Sequence, residues 1–225
     1  MLPQLGLAYC RVPKAANSSV RFLLAKRFSI TPPEAEPNLV PNKDRFWAAQ
    51  PPGTAQCLTP VEFALLQAGP DRPWCFSFVR NPVARLYSAW NNKIVENRPL
   101  SPRFKKMGVT PGMDFASFVD RVAETVDADS NIHVRSQTSI LTLDGQVLPD
   151  FVGRVETIVP DWNHIRYEMR VRTGRRVPPL WPKNVRAKAQ PDIADRLPRS
   201  VLEKIIRRYH DDFARFYPYE LRRLA

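Results

Sequence analysis

The stretch that most constrains this chain is Leu5 to Phe28, LGLAYCRVPKAANSSVRFLLAKRF. The apolar run Leu5–Val12 stops at Pro13 and reads as a short buried strand. Val20, Leu23, Leu24 and Phe28 then recur at helical spacing, with Arg21, Lys26 and Arg27 between them. Ser18 or Ser19 is the expected N-cap. Between strand and helix lies the polar loop Pro13–Ser19, which carries a lysine and two hydroxyls. Backbone N–H groups at a helix N-terminus favour anions, so this arrangement predicts a phosphate-type cradle inside an α/β layered fold.

A second unit of the same kind follows. Pro73–Val79 (PWCFSFV) predicts a buried strand, Arg80-Asn81-Pro82 a turn, and residues from about Val83 to Val95 a helix. On that helix Leu86, Trp90 and Ile94 face the core, with Arg85 and Ser88 elsewhere on its first turns. Phe151–Glu156 predicts a third strand, and Asp161 is expected to open a helix that Gly174 ends. Thr59-Pro60-Val61-Glu62 reads as a capping box ahead of a short helix. Asp114 caps another, and Ser200–Tyr217 reads as one amphipathic helix. A tight turn is expected at Asp144-Gly145. Irregular excursions fall near 31–58, where Phe46 and Trp47 should pin the chain, and near 97–113 and 174–198. The expectation is one domain over 1–225, with a central, mostly parallel sheet flanked by helices in three layers.

Charge narrows the partners. Lys and Arg number 34 against 22 Asp and Glu, a formal +12. That excess fits a multiply phosphorylated cofactor, an acidic glycan, an anionic membrane surface or nucleic acid. No nucleic-acid-binding signature accompanies it. The three cysteines, Cys10, Cys57 and Cys75, have no disulfide-framework or zinc spacing, so buried thiols in a reducing compartment are expected. No apolar stretch approaches membrane-spanning length, and nothing resembles a signal peptide. The expected location is cytoplasmic, with peripheral membrane contact left open.

The first loop is not a Walker A motif, because Lys14 precedes Ser18 by four residues and alanines stand where glycines belong. Its pattern, Val12-Pro13-Lys14-Ala15-Ala16-Asn17-Ser18-Ser19, resembles the 5′-phosphosulfate loop of sulfotransferases that use 3′-phosphoadenosine 5′-phosphosulfate. Phe78-Val79-Arg80-Asn81-Pro82-Val83-Ala84-Arg85-Leu86-Tyr87-Ser88-Ala89 resembles their 3′-phosphate motif. Asp150–Glu156, His133–Gln137 and the ending with Tyr209, Asp212, Phe213 and Phe216 follow the same family pattern in order. The chain therefore resembles the carbohydrate sulfotransferases of the chondroitin, dermatan and natural-killer-epitope type, in a compact form of bacterial kind.

That resemblance implies a P-loop-like fold and a site. Lys14, Ala15, Ala16, Asn17, Ser18 and Ser19 would hold the 5′-phosphosulfate, and Arg80 and Ser88 the 3′-phosphate. Asn184 and Arg186, in a late basic loop, are further cofactor contacts by position. Sulfuryl transfer needs in-line placement and charge stabilisation rather than a metal, and Lys14 can stabilise the leaving phosphate. Of the three histidines, His133 is the candidate base, with Glu156 in reserve; His164 and His210 fall in expected helices. The acceptor would be a hydroxyl on a carbohydrate. Val20 stands where relatives carry tryptophan, and H-V-R-S-Q where many carry H-W-x-P-Q, so the acceptor need not be chondroitin-like. Two other readings stay open. One is a P-loop kinase-like phosphotransferase needing Mg²⁺ and ATP. The other is a non-catalytic polyanion binder with steep salt dependence and indifference to Lys14.

Overall fold

The structure is a computed structural model that describes residues 1–51, 53–180 and 193–224. It is a mixed α/β fold with a three-stranded parallel sheet in the order β1 (Leu7–Cys10), β2 (Trp74–Val79), β5 (Phe151–Arg154). Leu7 lies opposite Trp74 and Cys10 opposite Ser77. Central β2 is buried at every position after Trp74, which is why its sequence is a continuous apolar run rather than an alternation. Its one polar residue, Ser77, donates its hydroxyl to the Cys10 carbonyl at 2.7 Å. A two-stranded antiparallel hairpin, β3 (Thr142–Leu143) and β4 (Gln146–Val147), turns at Asp144-Gly145, both with positive φ, as the sequence predicts.

The helices are α1 (Asn17–Arg27), α2 (Asp44–Ala48), α3 (Pro60–Gln67), α4 (Pro82–Trp90), α5 (Pro102–Lys106), α6 (Phe115–Ala123), α7 (Gln137–Leu141), α8 (Ile158–Thr173), α9 (Arg199–Arg208), α10 (His210–Phe216) and α11 (Pro218–Leu224). A π-helical segment, Asn91–Val95, continues α4.

The chain divides into two compact units. The first holds Met1–Val12, Ala16–Phe78 and Leu141–Val185; the second holds Pro13–Ala15, Val79–Ile140 and Arg186–Ala225. In the first, Trp162 of α8 meets Phe76 and Phe78 with ring centroids 6.3 Å from each, and Ile165 and Met169 are fully buried. Such aromatic burial is worth roughly 1.5–3 kcal/mol per side chain. Gly153 lets β5 approach β2. A Cβ there would sit 2.7 Å from the Phe78 ring and 3.1 Å from Asp161 Cβ, so any side chain overpacks the site. In the second unit α4, α6 and α9 pack together through Leu86, Phe118, Val119, Val122, Val201 and Ile205.

Several expectations are refined. Thr59 and Glu62 form the capping box of α3, with reciprocal bonds of 3.2 and 2.7 Å. Phe46 and Trp47 are buried and pin the 31–58 excursion, where Trp47 Nε1 donates to the Pro41 carbonyl and Arg21 lies over the ring. Asp161 does not open α8. The helix begins at Ile158, and Asp161 accepts from the Arg154 N–H and the Thr157 hydroxyl, tying the helix start to the end of β5. The C-terminal helix is broken at Tyr209 (φ −116°) into α9 and α10, and α11 follows. Cys75 is buried with its Sγ 3.4 Å from that of Cys10, whereas Cys57 is exposed, against the expectation of buried thiols.

Candidate active site

The first loop gains its shape from two residues in the left-handed region, Lys14 (φ 69°) and Ala16 (φ 55°). Such φ values are uncommon without glycine. The early left-handed turn moves the start of α1 forward, so its N-cap is Ala16 and not Ser18 or Ser19. Asn17, Ser18 and Ser19 are instead the first residues of the helix. They form its first turn, and the Val20 N–H donates to the Ala16 carbonyl at 3.1 Å. The cap makes no side-chain hydrogen bond, and the first turn holds no acidic residue. Asn17 Oδ1 is buried with no hydrogen-bond partner among the described residues, and Ser19 is buried. A helix start rich in donors and lacking carboxylates suits an anion.

The second motif lies in the second unit. Asn81 caps α4, its Oδ1 accepting from Val83 and Ala84 N–H, with Pro82 at the first helical position. Arg80, half-buried, is held by its backbone. Gln137 Nε2 donates to the Arg80 carbonyl at 2.8 Å, and Arg80 N–H donates to Gln137 Oε1 at 2.9 Å. The Gln137 amide supplies both the donor and the acceptor. Gln137 is fully buried, and its own N–H and that of Thr138 donate to Asp212 of α10 at 2.8 and 2.7 Å. Burial raises the Asp212 carboxyl above its usual range, and these two N–H groups and Arg85 oppose the rise. Tyr209 donates its hydroxyl to the Val134 carbonyl at 2.5 Å. The H-x-x-x-Q segment is thus held from the chain's ending and itself holds the residue before the Asn81 cap.

Arg85 of α4 is an interior residue. It is 2% exposed and donates to three carbonyls. Nε reaches Pro13 at 3.0 Å, Nη1 reaches Arg135 at 2.7 Å and Nη2 reaches Ile132 at 3.2 Å. Burial lowers its pKa, opposed by Tyr209, Asp212 and Asp127. One guanidinium therefore ties the residue before Lys14, the helix after Arg80 and the segment around His133 into a single unit. A buried guanidinium bound to three backbone carbonyls is a positioning device.

His133 is half-buried. Its backbone N–H donates to Asn131 Oδ1 at 3.0 Å, and its ring Nδ1 lies 2.8 Å from the same oxygen. Asn131 Nδ2 donates to Ser101 Oγ at 2.8 Å, and the Phe104 ring of α5 lies 6.3 Å from the imidazole. Of the other histidines, His164 in α8 packs against Phe151 at 4.4 Å and His210 begins α10 exposed.

Lys14, Arg80, Ser88 and His133 all belong to the second unit, together with Ala15. Ser88 is a half-buried residue of α4. Ala16, Asn17, Ser18 and Ser19 belong to the first unit, as does Glu156, which lies in a 3₁₀ turn (Val155–Thr157) rather than in the strand that was expected to include it. Asn184 and Arg186 lie outside the described residues. Sequence reasoning passed over Arg85, Asn131 and Gln137 as positioning residues. Among the described residues, no cluster of three or more His, Cys, Asp or Glu is placed to hold a metal ion, and no helix is long and apolar enough to cross a membrane.

The family model described as the sulfotransferase family matches residues 1–219. No curated protein and no solved structure matches the chain.

Proposed function

The chain belongs to the sulfotransferase family, and on that premise we propose that it moves a sulfuryl group from 3′-phosphoadenosine 5′-phosphosulfate to a hydroxyl of a carbohydrate-type acceptor. The observation that carries this reading is the start of α1. Two left-handed residues deliver three consecutive helix-start N–H groups, two hydroxyls and an adjacent lysine in a segment without a carboxylate. The donor set fits the phosphosulfate end of the donor, and we read the β1–loop–α1 element as P-loop-like within one catalytic domain.

The roles follow from chemistry. Lys14 neutralises charge that develops on the leaving phosphate, and Ser18, Ser19 and the N–H groups of residues 15–19 hold its oxygens. Arg80 offers a planar fork to the 3′-phosphate, and Ser88 a hydroxyl. Asn184 and Arg186 are assigned to the same nucleotide by their place in the sequence. The donor supplies the sulfuryl group; the protein supplies orientation, charge stabilisation and a proton acceptor. His133 takes the acceptor's hydroxyl proton, and Glu156 is the second candidate for that role.

The test is transfer of labelled sulfuryl from the donor to a panel of hydroxyl-bearing glycans, with ATP and Mg²⁺ as the comparison arm. His133→Ala should lower kcat roughly 100-fold or more while leaving affinity for the donor product unchanged. Full-rate transfer by that variant removes His133 as base. ATP turnover without sulfuryl transfer overturns the reading.

A further inference from the structure

The surroundings of His133 fix more than its position. We propose that Asn131 is a positioning residue that locks His133 in the Nδ1–H tautomer and so leaves the Nε2 lone pair as the proton acceptor. The inference rests on His133 being the base.

The atom of Asn131 that faces His133 receives the His133 backbone N–H at 3.0 Å. A backbone N–H can only donate, so that atom is the carbonyl oxygen and not the amide nitrogen. The other end of the side chain agrees: Nδ2 donates to Ser101 Oγ at 2.8 Å. Asn131 is 8% exposed, so its amide polar groups must be satisfied by protein partners such as these. The imidazole Nδ1 lies 2.8 Å from this same oxygen. Two acceptors at that distance would repel, so Nδ1 carries the hydrogen. In a neutral imidazole Nε2 is then the unprotonated nitrogen. Ser101 completes the support, because its hydroxyl oxygen also accepts from the Phe104 N–H at 3.4 Å, and Phe104 lies beside the imidazole. Ser101, Asn131 and His133 form one relay of fixed donors and acceptors.

The consequence for transfer balances. The acceptor oxygen forms a bond to sulfur as the bond from sulfur to the phosphate oxygen breaks, and that electron pair leaves with the phosphate. The hydroxyl proton passes to Nε2. The imidazolium that results keeps its Nδ1–H on the Asn131 oxygen, a bond that strengthens as the ring becomes charged. The opposite tautomer would present an N–H to the hydroxyl and accept nothing.

The direct test reads the tautomer in the wild-type protein. Long-range proton–nitrogen correlation spectra of the full ¹⁵N-labelled chain, at a pH where the imidazole is neutral, show which ring nitrogen carries hydrogen. The His133 signals are identified by their loss in His133→Gln. The expected result is a protonated Nδ1 and a pyridine-like Nε2; a protonated Nε2 overturns the proposal. Asn131→Ala should give a mixed tautomer and a fall in kcat of roughly 10- to 100-fold, with KM for the donor little changed. Asn131→Asp, which keeps an acceptor oxygen beside Nδ1, should restore the Nδ1–H pattern. An Asn131→Ala protein that melts like wild type and keeps the wild-type tautomer also overturns it. The spectra separate this inference from the assignment of the base. An Nδ1–H imidazole in a protein whose His133→Ala variant still transfers at full rate leaves the tautomer standing and removes the role of His133.

Discussion

At the scale of single residues, the site depends on side chains that read backbone. Arg85 serves three carbonyls, Gln137 serves both groups of Arg80, and Asn131 serves the backbone and the ring of His133. Each buried group left without its partner costs about 1–3 kcal/mol. Arg85→Lys keeps the charge but cannot span three carbonyls. It should lower unfolding free energy by on the order of 3 kcal/mol in chemical denaturation, and it should also weaken binding of the donor product, because Pro13 precedes Lys14. Unchanged stability would show that the three bonds are replaced by water at no cost. Lys14, Arg80 and Ser88 stand out in the sequence as candidate anion ligands because each lies in a strand–loop–helix unit. The sequence did not reveal the positioning residues. An arginine one helical turn after a cap looks like any surface arginine until its burial is known, and an asparagine two residues before a histidine carries no periodic signal.

At the scale of elements, the strands and caps were readable because their causes are local. The run WCFSFV is apolar but for Ser77 since β2 is covered on both faces, and Thr59-Pro60-Val61-Glu62 caps α3 by contacts within four residues. Elements set by distant partners were not readable. The Asp161 carboxylate is occupied by Arg154 and Thr157, so it lies inside α8 instead of capping it. The break at Tyr209 occurs where that residue's hydroxyl and the neighbouring Asp212 are both engaged with residues 134–138. Asp127 makes a related long-range tie. It accepts from the Ser136 N–H at 3.0 Å, from the Ser136 hydroxyl and from Arg208 Nη2 of α9 at 2.5 Å. Burial pushes its carboxyl up, but these hydrogen bonds and the Arg208 charge outweigh burial and hold it below the usual aspartate range. A carboxyl with a depressed folded pKa stabilises the fold above its unfolded pKa and loses that contribution as pH falls through the folded one. Asp127→Asn should therefore destabilise the protein by on the order of 1 kcal/mol near neutral pH, allowing for its partial exposure. The gap to wild type should narrow as the solution is acidified through the aspartate range, measured by denaturant titration at several pH values. A gap that stays constant with pH would mean the charge of Asp127 is not what matters.

At the scale of the whole molecule, a chain with a formal charge of +12 matches a family whose chemistry is sulfuryl transfer, over residues 1–219. The α/β class and the parallel sheet were legible because strand and helix patterns alternate along the chain. The division into two compact units was not, because it assigns Pro13–Ala15 to one unit and Ala16 onward to the other within a single loop. No periodicity marks such a division. The second unit contains Lys14, Arg80, Ser88 and His133, and the first contains Asn17, Ser18, Ser19 and Glu156. The central claim, that the two loops hold the two ends of a bisphosphorylated nucleotide, is tested most directly by calorimetric titration with 3′,5′-adenosine bisphosphate and, for comparison, AMP. Wild type should bind the bisphosphate far more tightly than AMP. Arg80→Ala should erase most of that preference, and Lys14→Ala should weaken binding of both, each by roughly 10- to 100-fold. Equal affinity for bisphosphate and AMP, or variants that bind as wild type does, would contradict the account.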